Sequence, residues 1–210
     1  NCQNAATVTG YYYTGGICGY NKSTLTSNSN AGNITSENRA GGICGNNEGE
    51  NASITGAVNI GSVQAEMYAG GIIGNCDGSN ISATLNAGKV TADLNVGGII
   101  GKSISSKIKE CVNVGEINRT AYSHYSQHYL SAICGNDSTS VISESYYDTT
   151  RCNSYDVSDK SHNYLKGMST SDLTSAAFAN TFSSKLWTGT DGRYPRPQLD
   201  TIAMLNSSAP

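Results

Sequence analysis

The chain has 210 residues, of which 37% are hydrophobic and only 14% charged, and its formal net charge is −3. Average globular domains carry roughly 25% charged residues; here Asn, Ser, Thr and Gly fill the difference, which speaks against a coiled coil or a helical bundle and for a β-rich protein of the secreted kind. The basic residues are scattered, with no basic stripe to hold nucleic acid, and no apolar run approaches the roughly 18 residues of a membrane span.

In chain order, the first element is a half-copy of a motif, Asn4-Ala-Ala-Thr-Val8, followed by Tyr11-Tyr12-Tyr13. Gly15-Gly-Ile-Cys-Gly19 comes next and recurs as Gly41-Gly-Ile-Cys-Gly45, Gly70-Gly-Ile-Ile-Gly74 and Gly97-Gly-Ile-Ile-Gly101, with a degenerate copy at Ser131-Ala-Ile-Cys-Gly135. The central Ile17, Ile43, Ile72, Ile99 and Ile133 are 26, 29, 27 and 34 residues apart. Two further markers keep phase. One is apolar: Leu25, Ile54, Ile81, Ile108 and Ile142. The other is Asn-x-Gly-x-[Ile/Val], at Asn30, Asn59, Asn86 and Asn113, five positions after its apolar partner each time. Self-similarity at a fixed period marks a repeat architecture.

Each marker lies in a short polar–apolar alternation, as in Lys89-Val90-Thr91, and the neighbouring Gly and Asn rule out helices of useful length. Three short strands and three turns fit about 27 residues. The expected fold is therefore all-β: a parallel β-solenoid of five coils, with the three apolar markers stacked inside as ladders. At about 4.8 Å per coil the column is roughly 25 Å long. The Asn column has two readings, a row of ligand-binding amides or a scaffold; the scaffold is favoured, because Asn tolerates left-handed turns, its amides bond from coil to coil, and the following Gly supplies the second turn position. The paired glycines lack the Lys-Ser/Thr and the helix of a nucleotide loop.

Seven cysteines cannot all pair within the chain, and no Cys-x-x-Cys occurs. Cys18, Cys44 and Cys134 share a slot with Ile73 and Ile100, which points to a small buried apolar position. Cys18 and Cys44 fall within disulfide reach between adjacent coils, though stacked thiols are the default; Cys134 with Cys152, joining the last coil to the cap, is the more favoured pair.

The long period places its extra residues at 119–130, including Tyr122, His124, Tyr125, His128 and Tyr129. His124 and His128 stand four apart, a metal-chelating spacing on a helix, but no Glu follows His124 and only His162 remains as a third imidazole; the reading is no metal and no cofactor. Loops leaving a rigid scaffold carry binding function, and exposed tyrosines suit carbohydrate stacking. This segment is the first candidate binding spot and Tyr11–Tyr13 the second.

Residues 1–147 are assigned to the solenoid, 148–200 to a C-terminal cap and 201–210 to a linker or tail. An open solenoid end exposes strand edges and needs covering. The cap is expected to hold one helix, Ser169–Phe182, with Phe182, Leu186 and Trp187 sealing the final coil; Trp187 as a sugar platform is the alternative. The chain opens in mid-pattern and closes on Asn206-Ser-Ser-Ala-Pro210, and it is read as a fragment of a longer mature protein.

The Gly-Gly-Ile-x-Gly strand, the Asn-x-Gly-x-Val turn and the period near 27 resemble the GLUG repeat of large bacterial cell-surface proteins and of non-catalytic regions of some immunoglobulin A metallopeptidases. The resemblance covers about residues 1–150. It continues in Ser145-Tyr-Tyr-Asp148, similar to that family's last strand, and in Gly167–Leu173, Trp187 and Tyr194-Pro-Arg-Pro197, similar to its closing segment. It implies a solenoid at the cell surface and brings no catalytic residue.

The function expected is a non-catalytic structural or adhesive module, extracellular or on the cell surface, with a surface glycan, a protein or copies of itself as partner. A filament or sheath subunit is one alternative. A β-helix polysaccharide-degrading enzyme is another, disfavoured because Glu37, Glu48, Glu50, Glu66, Asp77 and Glu110 are expected in different phases, with no acid repeated in one slot of adjacent coils. Ice binding is disfavoured by the irregular outward pairs, Thr7/Thr9 through Glu116/Asn118.

Overall fold

The computed structural model describes residues 1–120, 128–152 and 165–199. Strands stack in parallel from coil to coil, as a β-solenoid requires, in four sheets rather than three. One coil runs Ser53–Asn59 (sheet A), Val63–Ala65 (sheet B), Tyr68–Gly70 (sheet C) and Ile73–Asp77 (sheet D), and each strand pairs in register with its counterparts above and below. The fourth strand arises at the glycine pair. Gly70 ends one strand, the chain bends through Gly71 and Ile72, and Ile73 starts the next. The column makes about four turns, against the five coils expected.

The three apolar ladders are present, and they split into two cores. Ile43, Ile72, Ile99 and Ile133 pack with Ile54, Ile81, Ile108 and Ile142 between sheets D and A; Ile17 and Leu25 are only partly covered, in the first coil. Ile34, Val63, Val90 and Ile117 pack with Ala40, Ala69, Val96 and Leu130 between sheets B and C. Sheet A also carries a bulge in every coil. Ser27, Gly56, Ala83, Glu110 and Glu144 share one register column and all have positive φ, 57°, 66°, 50°, 54° and 44°. Because the left-handed residue recurs in every strand, register is kept from coil to coil while the in–out alternation shifts beyond it. Ile54, Ala57 and Asn59 are thereby all buried, while the half-buried Val58 packs against the C-terminal segment.

The Asn column is a scaffold. Asn4, Asn30, Asn59 and Asn86 each donate a side-chain N–H to the amide oxygen of the next Asn, at 2.7, 2.8, 2.8 and 2.8 Å. Asn30, Asn59 and Asn86 also donate to the carbonyl of the glycine two residues on. The expected left-handed turn is absent: none of these Asn, nor the glycines after them, has positive φ. Those glycines answer to spacing instead, since a Cβ on Gly61 would lie 2.0 Å from the Gly32 carbonyl oxygen one coil away.

Cys134 and Cys152 are not paired; all seven cysteines are free thiols. Cys134 sits in sheet D over Ile100, whereas Cys152 receives the last N–H of the Asn ladder from Asn113 at 2.9 Å. Cys152 is thus the end-stop of that ladder, in a different part of the cross-section.

The C-terminal segment departs most from expectation. Leu165–Met168 lies on the end of the column, where it pairs with Ser145–Asp148 of sheet A. In place of one helix there are two single turns, an α-turn at Thr170–Leu173 capped by Ser169 and a 3-10 turn at Phe178–Thr181, followed by the hairpin Trp187–Thr190/Arg193–Pro197. These do not seal the last coil. They lie along the outer face of sheet A, where Leu173, Phe178, Phe182 and Trp187 cover Leu85, Val112, Val114 and Tyr146. The Ser27 hydroxyl donates to the Leu199 carbonyl, so the segment runs back to the first coils. The reason is an outward apolar stripe, Val58, Leu85, Val112 and Tyr146, that the bulge creates and that needs cover. Three carboxylates fasten the segment, and one of them, Glu144, accepts from Ser183 N at 3.1 Å. Glu110 accepts from Ser183 Oγ at 3.0 Å and Ser184 N at 2.9 Å. Asp148 accepts from Thr150, Thr170 and Tyr194; burial pushes its carboxyl up, but those hydrogen bonds outweigh burial and hold it below its ordinary range.

Candidate binding face on sheets C and D

Tyr122, His124 and Tyr125 lie outside the described residues. His128 and Tyr129 are half-buried; His128 Nδ1 is 2.9 Å from the Asp93 carbonyl oxygen, and Tyr129 opens the last strand of sheet C. Tyr11 and Tyr12 are 57% and 62% exposed, so both rings are offered to solvent. The register joins the two candidate spots. Tyr13, Arg39, Tyr68, Asn95 and Tyr129 form one column of sheet C, each two residues before its glycine-pair position. Four coil spacings, roughly 19 Å, separate Tyr13 from Tyr129.

Arg39 fills the gap between two tyrosines, its guanidinium carbon 5.0 Å from the Tyr13 ring centre and 5.4 Å from that of Tyr68. Lys102 Nζ stands 5.5 Å from the Tyr68 ring centre. Such contacts contribute about 0.5–1 kcal/mol each at exposed sites, enough to hold rings in place. Tyr20 of sheet D meets Tyr13 edge-to-face at 5.5 Å, and Tyr11 meets Tyr12 at 4.6 Å in the same manner. A polar chain lies beside the rings: Arg39 Nη1 and Asn75 Nδ2 both donate to Asn46 Oδ1, at 3.2 and 2.8 Å, while Asn46 and the Tyr20 hydroxyl donate to Glu48. That bond raises the Tyr20 hydroxyl to about 12 and lowers the Glu48 carboxyl. The face thus offers fixed aromatic planes beside amide and guanidinium donors, the combination that holds sugars and protein loops. Tyr20, Arg39, Tyr68 and Lys102 escaped the sequence reading. The signal available for all four was the fixed offset from a glycine pair or its central Ile, which places dissimilar residues in one column.

The acids do repeat between coils. Glu48 and Asp77 are register partners in sheet D, and Glu37 and Glu66 follow the paired Ser36 and Ala65, lining one groove with Asp93. Glu37, Glu66 and Asp93 each stand three residues after their sheet B marker, so a constant offset stacks them. The expectation that no slot repeats an acid is overturned.

Cys18 and Cys44 are in register in sheet D, and each sulfur lies 3.1 Å from the carbonyl oxygen two residues on. The Cys44 thiol donates to Cys18, which lowers Cys18 to about 6, while Cys44 is raised well above its ordinary value. Cys18 is half-exposed and Cys111 fully buried, with its thiol pushed to about 12 by burial. Reactivity follows the thiolate. Iodoacetamide at pH 7 is expected to label Cys18 and spare Cys111 in the folded protein, with a rate midpoint near pH 6, read by peptide mass mapping. Labelling of Cys18 that rises only above pH 8 counts against the thiol pair.

Among the described residues no helix is long and apolar enough to cross a membrane. No protein-family profile, curated protein or solved structure matches the chain.

Proposed function

We propose that the chain is a non-catalytic adhesive module of a secreted or cell-surface protein, and that it holds a surface glycan or protein loop on the face formed by sheets C and D. The observation that carries this reading is the Tyr13–Arg39–Tyr68–Lys102 stack with Tyr11, Tyr12 and Tyr20 around it. Exposed aromatic side chains are normally few and scattered. Here they are gathered on a rigid column and braced by cations, which lowers the entropy lost on binding. The GLUG-like repeat supports the surface setting, since the proteins it resembles stand on bacterial cell surfaces.

A glycan array and a cell-adhesion assay with the isolated chain test it. Wild type is expected to bind, Tyr12→Ala/Tyr13→Ala to lose about tenfold or more in affinity, and Arg39→Ala to lose less, because Arg39 positions the rings. Binding that is indifferent to all three changes moves the site elsewhere on the column. Binding to nothing on any cell surface leaves a spacer and ends the adhesive reading.

A further inference from the structure

A second concavity lies on the opposite side of the cross-section, between the outer face of sheet A and the C-terminal hairpin. It encloses about 530 Å³, within the size range of small-molecule sites. Its floor is aliphatic: Val58, Ile60, Leu85, Ala87 and Val114, from three successive coils. An adjoining hollow shares Val58, Ile60 and Arg196 and extends the floor to Ala31, so the trough spans four coils, roughly 14 Å along the column. Ile60 is 58% exposed there and Val58 and Ala87 are half-buried, while Leu85 and Val114 are covered. The wall is cationic. Arg151, Arg193 and Arg196 line it, three of the chain's five arginines, in a chain of net charge −3. Among the described residues none of the three is ion-paired; Arg151 stands 6.0 Å over the Tyr194 ring.

The floor decides what kind of anion fits. Its backbone N–H groups are already engaged: Ile60, Ala87 and Val114 each donate to the Asn carbonyl of the coil before, at 2.9, 2.8 and 2.8 Å. An extended peptide laid on it would bury its own amides without partners, at a cost of about 1–3 kcal/mol for each. A sugar would place hydroxyls against aliphatic side chains. An alkyl chain has no polar group to satisfy, and guanidinium forks match carboxylate and phosphate oxygens. We infer that this trough binds a single-chain amphiphile with an anionic head, its alkyl chain along Ala87, Val58 and Ile60 and its carboxylate or phosphate among Arg151, Arg193 and Arg196.

Calorimetric titration of the whole chain with monomeric decanoate tests this, with decanol and acetate as partial ligands and decyl phosphate as the second head group. One decanoate per chain is expected, with affinity falling as salt rises. Arg193→Gln/Arg196→Gln should weaken it about tenfold or more, and Ile60→Asp should abolish it, both with wild-type melting curves by circular dichroism. Decanol binding as tightly as decanoate, or a double variant equal to wild type, overturns the assignment. So does a trough that ignores decanoate and decyl phosphate but carries the protein onto anionic vesicles, which makes it a membrane-surface contact, or one that takes only an acidic peptide. The site lies apart from the tyrosine face, so Tyr12→Ala/Tyr13→Ala should leave decanoate binding intact.

Discussion

Replacing Gly71 by alanine is expected to lower stability by about 3–5 kcal/mol, far beyond the usual effect of one added methyl group. The added Cβ would stand 2.2 Å from Asn86 Cγ and 2.2 Å from the Gly98 carbonyl oxygen. Neither neighbour can give way. Asn86 is held on three sides, accepting from Asn59 at 2.8 Å and donating to Asn113 at 2.8 Å and to the Gly88 carbonyl at 2.9 Å. Gly98 belongs to the next coil's bend, whose N–H is bonded to Ser131. The same contact recurs as Gly16 on Asn30, Gly42 on Asn59 and Gly98 on Asn113, so the second glycine of each pair exists to seat an Asn of the ladder. Gly78→Ala is the control: its φ is +61° with nothing within 4 Å, so strain alone should cost about 1 kcal/mol. Urea unfolding of both variants decides the matter, and a Gly71→Ala loss no greater than that of Gly78→Ala sinks the interlock.

This interlock explains why so much of the fold was legible. Ile17 through Ile133, Leu25 through Ile142 and Asn4 through Asn113 repeat because each must match the coil below, and a period imposed by contact is visible in sequence. What repeats in space but not in residue type was hidden. Ser27, Gly56, Ala83, Glu110 and Glu144 share a left-handed backbone and nothing else, so the bulge, and with it the outward stripe Val58–Leu85–Val112–Tyr146, left no motif. Tyr20, Arg39, Tyr68 and Lys102 were hidden for the same reason: a cation between two rings is a contact of unlike residues. Cys134 and Cys152 were misjudged because sequence order suggested that the last coil meets the cap, whereas the cap folds back along the column's side.

That fold-back carries the other large effect. Phe182→Ala is expected to cost about 3–5 kcal/mol and to release residues 165–199 from sheet A. Phe182 is buried, stacks on Trp187 at 4.5 Å with 17° between the planes, and meets Phe178 and Tyr146 edge-on at 5.3 and 5.5 Å. Three aromatic partners add about 0.5–1.5 kcal/mol each beyond burial, and among the described residues no other side chain joins all of them. The location of the damage separates two architectures. A plug on the open end would, when loosened, unzip the last coil and then the column through Ile133 and Ile99. A flank lies over Leu85, Val112 and Val114 and leaves the coil-to-coil hydrogen bonds of Ile72 and Ile99 untouched. Native-state hydrogen exchange should therefore show lost protection across residues 165–199 together with new binding of a hydrophobic dye to the bared stripe, while the Ile72 and Ile99 amides stay as slow as in wild type. Fast exchange at Ile72 would mean that the column needs its flank to stand, and the solenoid would then not be the independent unit that its ladders make it.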